Sequence, residues 1–209
     1  LEAWVRLRMG RLSGARTAIE QVLGSDPNNA MAWSIKGQVC LAQGETGPAI
    51  EALAKAKGLR DDPTVRLGLA QAYAQADRPQ DAAAELRGIL AEPAVAWQAV
   101  TLLERLLAGE GRAADLAEVY ALIERTYPED VQWINRAAAF ALSREDHAKA
   151  EQLYAKAQRI KADLYADSPA EVWGLDGDYA AACEGHLQAL VSLAGDDKDR
   201  LDAVIREGT

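Results

Sequence analysis

The chain has 209 residues, 49% of them hydrophobic and 26% charged, which is enough apolar content to bury a core well above the small-domain limit and argues against disorder. No uninterrupted apolar stretch approaches the roughly 18 residues that suggest a membrane span, and a formal charge of -9 repels a phosphate backbone, so neither membrane insertion nor nucleic-acid binding is expected. Alanine supplies 43 residues and phenylalanine one, and since alanine is the best helix former, the expected class is all-helical with closely approaching axes.

A helical pattern begins at once, with Leu1-Glu2-Ala3-Trp4. There is no initiator Met and no basic-then-apolar leader, so the sequence reads as part of a longer protein whose compartment, cytoplasmic or periplasmic, stays open. In chain order the apolar periodicity predicts helices over 2–9, 14–24, 30–43, 47–58, 63–76, 79–90, 94–108, 112–125, 130–143 and 147–161. Breakers separate alternate helices: Asp26-Pro27-Asn28-Asn29, Asp61-Asp62-Pro63, Glu92-Pro93 and Tyr127-Pro128-Glu129-Asp130 each join a Pro to residues able to cap the next helix.

The helices repeat. Ala15, Ala49, Ala82, Leu116, Ala150 and Ala182 follow one another at spacings of 34, 33, 34, 34 and 32 residues. Four residues after each stand Ile19, Leu53, Leu86, Tyr120, Tyr154 and His186; three further on come Val22, Ala56, Ile89, Ile123, Ala157 and Ala189. Positions i, i+4 and i+7 share one helix face, which gives the second helix of each unit a buried stripe. Five residues before the first column lie Gly10, Gly44, Asp77, Gly111, Glu145 and Gly177, mostly residues that tolerate a tight turn between two helices. No such helix buries its stripe alone, whereas stacked pairs bury one continuous core.

Trp33-Ser34-Ile35-Lys36-Gly37-Gln38-Val39-Cys40, followed by Ala49 and Leu53, resembles the tetratricopeptide repeat (TPR) pattern W-x2-L-G-x2-Y…A-x3-F, with Lys36 in place of Leu and Cys40 in place of Tyr. Leu69, Ala70 and Tyr73 keep the pattern in the third copy; Glu104 and Leu116 depart from it in the fourth. The resemblance covers residues 1–162, about four and a half units (1–29, 30–62, 63–96, 97–130 and 131–162). It implies a right-handed α-solenoid of antiparallel helix pairs with an irregular helical C-terminal cap. Residues 163–209 then form an acidic degenerate repeat with capping helices. Within them Ser168-Pro169-Ala170-Glu171 reads as a helix start, Gly177 to about Ala194 as another second-type helix, and Lys198 to Arg206 as a closing helix.

The resemblance also implies a binding face, because in TPR proteins the first helices line a concave groove and the second, fifth, ninth, twelfth and thirteenth places of each unit meet a peptide. Transferred to this chain, those places give Ser34 and Gln38 in the second unit, Gln71 and Gln75 in the third, Thr101 and Arg105 in the fourth, and Gln132 and Asn135 in the fifth. The lining is polar and almost uncharged, and side-chain amides both donate to and accept from an extended backbone. Ser34 with Gln38, and Leu67 with Gln71, lack the Lys and Asn that clamp a chain-terminal carboxylate in relatives. The expected ligand is therefore a protein segment other than a chaperone's acidic end.

Nothing points to catalysis, metal or cofactor. His147 and His186 stand singly on helices, and Cys183 with His186 is only half of a metal site. Asp176-Gly177-Asp178 reads as a turn. Cys40 and Cys183, far apart in sequence, imply small core residues and no disulfide framework. The expected function is a non-catalytic interaction module, an adaptor or assembly scaffold of a larger bacterial protein. Two other readings stand beside it. Residues 163–209 hold 3 basic and 11 acidic side chains while Arg6, Arg8, Arg11 and Arg16 crowd the start, so copies could join head to tail as a homo-oligomer. Alternatively the chain is the regulatory segment of an enzyme whose catalytic domain lies elsewhere.

Overall fold

The computed structural model describes residues 2–108, 112–164 and 177–194. These fold as α1 (Glu2–Arg8), α2 (Leu12–Ser25), α3 (Ala30–Ala42), α4 (Thr46–Leu59), α5 (Pro63–Gln75), α6 (Pro79–Arg87), α7 (Pro93–Ala108), α8 (Ala113–Thr126), α9 (Val131–Ser143), α10 (His147–Leu164) and α11 (Gly177–Ala194), with no strand among the described residues. The chain divides into two compact units, 1–119 and 120–209, the division falling inside α8.

Helix starts follow the breakers. Asn29 accepts a hydrogen bond from the Ala32 N–H (3.0 Å), Asp62 from Thr64 (2.9 Å), and Asp130 from both Gln132 (3.0 Å) and Trp133 (3.3 Å), each satisfying donors that a helix leaves open. Pro63, Pro79 and Pro93 open α5, α6 and α7, where a missing N–H costs nothing. Two helix ends differ by three residues from the reading of the sequence. The helix expected over 147–161 runs on to Leu164. The helix expected to run to residue 90 ends at Arg87, with Gly88 at its cap, although Ile89 and Leu90 still turn into the core.

The hairpin turns are copies of one device. Gly10, Gly44, Asp77 and Glu145 take positive φ of 71°, 76°, 56° and 62°. In each turn the following N–H donates across it to the carbonyl five residues back: Arg11 to Arg6, Glu45 to Cys40, Arg78 to Tyr73 and Asp146 to Ala141, all at 2.9–3.0 Å. This closes the first helix with a left-handed residue and sends the chain back antiparallel. Two of the four sites lack glycine and so hold a side chain where it is disfavoured.

In the first unit α1 and α2, α3 and α4, and α5 and α6 pair, and the first helices α1, α3, α5 and α7 pack one against the next. The small column is sealed, with Ala15, Ala49 and Ala82 all fully buried, and Ile19, Leu53 and Leu86 beside them no more than 2% exposed. Leu53 is the keystone of one layer, which also holds Cys40, Ala56, Val65, Leu69 and Ala72. Gly37 of its own first helix and Gly68 of the next both face it, and a Cβ at residue 68 would stand 3.3 Å from Leu53 Cδ2. Val22 departs from its column at 39% exposure. The seven-residue α1 is about half the length of α2, and Val22 lies in the final turn of that longer partner.

In the second unit α9 pairs with α10, and Tyr120 in the middle of α8 stacks on Phe140 of α9 with ring centroids 4.6 Å apart. Ala150, Tyr154 and Ala157 are buried as the columns require. α11 was expected to act as a second-type helix; its packing is that of a following first helix. It lies on both α9 and α10, the relation α5 bears to α3 and α4, and Gly185 sits against the Tyr154 ring as Gly68 sits against Leu53. The period misled because Ala182 and Ala189 are buried in either role, whereas the residue that fixes the register is Gly185. The helix start expected at Ser168 and the closing helix from Lys198 to Arg206 lie outside the described residues.

Candidate functional site

The eight residues singled out on the first helices do not share one fate. On α3, Ser34 is buried at 9% exposure, because α3 is held between neighbouring first helices and its fifth place falls on the packed side. Gln38, one turn on, is half-buried.

On α5 and α7 the expectation fares differently. Gln71 and Gln75 of α5 and Arg105 of α7 line a single open pocket of ≈ 480 Å³, whose remaining wall is Ala74, Leu102 and Leu106. The reason is helical phase. Gln71 and Gln75 are i and i+4 on an exposed stripe of α5 that flanks the core-facing stripe of Val65, Leu69 and Ala72. On α7, Val95, Ala99, Leu103 and Leu107 are buried, which turns Trp97, Thr101 and Arg105 outward. Thr101 spends its hydroxyl on its own helix, donating to the Trp97 carbonyl at 2.8 Å. Trp97 is 47% exposed; the sequence reading passed over it because it belongs to no groove place of the family pattern, though an outward tryptophan on a helix that buries seven apolar residues is itself a signal.

Arg105 is the one formal charge on the pocket wall and makes no ion pair among the described residues. The other cations of this unit are largely engaged: Lys57 reaches Glu85 at 2.6 and 2.8 Å, Arg66 forks onto Asp61, and Arg78 pairs with Asp81 while lying over the Tyr73 ring.

On α9 the amides are taken by the chain itself. Asn135 Nδ2 donates to the Asp178 carbonyl at 2.8 Å and Gln132 Nε2 reaches the Asp178 carboxylate at 3.4 Å, with Lys161 Nζ 3.9 Å from the same carboxylate. These two side chains tie down the first turn of α11. The sequence reading missed this because it had α11 in another register.

Outside this face, His186 has structural partners while the buried His147 Nδ1 has none among the described residues. His186 Nδ1 lies 2.8 Å from Gln158 Oε1 and its Nε2 3.4 Å from Glu151, so the imidazole bridges α11 to α10. Cys40 is buried and burial raises its thiol pKa, as it does for the Tyr154 phenol. Among the described residues no three His, Cys, Asp or Glu side chains gather to hold a metal, and no described helix is long and apolar enough to cross a membrane.

Helix pairs of about 34 residues, closed by one recurring turn and packed first helix to first helix, define a helical-repeat protein. Comparison with known proteins matches part of the chain to a described repeat family. Residues 1–64 match the family described as tetratricopeptide repeat. A 69-residue stretch, 33% of this chain, is 36% identical to the beta-barrel assembly-enhancing protease of Escherichia coli (strain K12), of which it spans 14%. The crystal structure of MamA superposes with a TM-score of 0.56 at 22% identity, over 77% of this chain and 95% of that one. The structure of YrrB, described as a TPR protein with an unusual peptide-binding site, gives 0.52 at 19% identity, over 80% and 89%.

Proposed function

We propose that this chain is a non-catalytic interaction module that holds a peptide or helix of a partner protein on the first-helix face of its N-terminal unit, as adaptor or assembly scaffold of a larger bacterial protein. The observation that carries the reading is the pocket between α5 and α7, where Gln71, Gln75 and Arg105 come together on an otherwise apolar wall. Such a surface offers hydrogen bonds to a main chain and room for its side chains. The likeness to YrrB supports a peptide as ligand. The matched part of the protease is 14% of its length, so that enzyme's activity does not bear on this segment.

The test is selection of a displayed random-peptide library on the immobilised chain, repeated with a Gln71→Ala/Gln75→Ala variant. Both positions are exposed, so helicity and melting stay unchanged while recovery of the selected peptides falls severalfold. Equal recovery on both proteins refutes the assignment.

A second reading, head-to-tail self-association, draws on α1 and the turn after it, where Trp4, Val5 and Met9 are 48%, 42% and 58% exposed beside Arg8 and Arg11. It predicts a sedimentation mass above 22.5 kDa at low salt that falls as salt screens the opposed ends, and an unchanged mass removes it.

A further inference from the structure

Resting on the peptide reading above, we infer that the α5–α7 pocket selects an extended segment with an internal acidic side chain, and that an apolar side chain four residues away along that segment lies on Trp97. Three features carry this. The first is charge. Arg105 is a cation on a wall of two neutral amides, two leucines and an alanine, with no carboxylate of the described chain paired to it. A planar guanidinium beside apolar surface suits a carboxylate, which it can grip through two parallel N–H donors.

The second is spacing on α5. Gln71 and Gln75 are one turn apart, about 6 Å along the axis. An extended strand presents main-chain groups on one side every second residue, about 6.6 Å apart. Two amides at this spacing address consecutive same-side peptide groups, so the backbone runs past the pocket instead of ending in it. That favours a side-chain carboxylate over a chain-terminal one.

The third is the outward row on α7. Trp97, Thr101 and Arg105 stand at four-residue steps, and the two ends are about 12 Å apart along the helix. Four residues of an extended strand cover about 13 Å. A side chain held at Arg105 thus places the one four positions away over the half-exposed Trp97 ring, where an apolar group removes the most water.

The experiment uses fluorescein-labelled, N-acetylated and C-amidated nine-residue peptide pools with Asp or Asn fixed at the centre, Leu or Ser fixed four residues away and the remaining positions mixed. A further pool has Asn at the centre and a free C-terminal carboxylate. Retention is measured on the immobilised chain and on Arg105→Gln, Arg105→Lys and Trp97→Ala variants, each checked for unchanged circular dichroism. The expected result is retention of the Asp pool about fivefold above the Asn pool on the unaltered chain. The ratio falls to about one with Arg105→Gln and is partly restored with Arg105→Lys, and the advantage of Leu over Ser is lost with Trp97→Ala. The chain's overall acidity opposes binding of the Asp pool, so nonspecific attraction cannot produce the preference. Equal retention of the Asp and Asn pools, a preference that survives Arg105→Gln, or a stronger response to the free C-terminus overturns this inference and leaves the proposed function standing. Retention of no pool overturns both.

Discussion

Gly37 and Leu53 interlock so closely that a double-mutant cycle between them measures whether the first and second helices of a repeat are packed as described. Leu53 is fully buried, and truncation to Ala removes its branch from a layer that has few ways to collapse, at a cost of about 2–5 kcal/mol. Gly37→Ala drives a methyl into Leu53 Cγ, an overpacking cost of about 1–3 kcal/mol, offset by about 1 kcal/mol of improved helix propensity. In the double variant the obstacle is gone, the propensity gain remains, and the new methyl occupies part of the space Leu53 vacated. The pair is then about 1–2 kcal/mol more stable than the sum of the singles predicts. Urea unfolding followed by far-ultraviolet circular dichroism gives the three values, and amide exchange in α3 and α4 separates local opening from global unfolding. Additivity within about 0.5 kcal/mol would refute the interlock.

Three further outcomes follow from the turns, caps and C-terminal helix. Relief of the left-handed backbone at Glu145 by Glu145→Gly stabilises the α9–α10 pair by up to about 1 kcal/mol, while Gly44→Ala destabilises α3–α4 by about 1–2 kcal/mol; thermal melts of the two single variants should move in opposite directions. Bonds from Thr64 hold the Asp62 carboxyl below its usual range, and the bond from Arg66 does the same for Asp61. Depressed folded values mean that the stability these groups add is present above the unfolded value near 3.8 and is lost as pH falls through the folded values. Asp62→Asn, which caps without titrating, therefore loses less stability than the unaltered chain between about pH 5 and pH 3; parallel losses would contradict the assignment. Gly185→Ala pushes a methyl into the Tyr154 ring and should speed amide exchange throughout α11 while leaving α3–α5 unchanged.

The repeat was legible because its columns record packing that recurs. Ala49 and Ala82 must be small for helix axes to approach, and Gly10, Gly44, Asp77 and Glu145 must accept one left-handed turn, so both columns survive changes elsewhere. The placement of the nominated side chains was legible only where helical phase decides it. Gln71, Gln75 and Arg105 lie on exposed stripes beside well-defined cores and line one pocket. Ser34, Gln132 and Asn135 occupy the same nominal places, yet one is packed among first helices and two are spent on Asp178. Nothing within a 34-residue window tells where a neighbouring helix will lie. The assignment of α11 failed for a related reason: Ala182 and Ala189 fit a buried stripe in either helix type, and Gly185 shows its register only through contact with Tyr154, 31 residues earlier.

The central claim is that a partner segment lies on the first helices of the N-terminal unit. Amide and side-chain chemical-shift mapping of the labelled chain, titrated with a peptide recovered from the library, tests it most directly. The account predicts that the largest changes fall on Gln71, Gln75, Trp97, Thr101 and Arg105. Changes concentrated instead on the outward positions of the second helices, such as Glu51, Lys55 and Ala84, would contradict it.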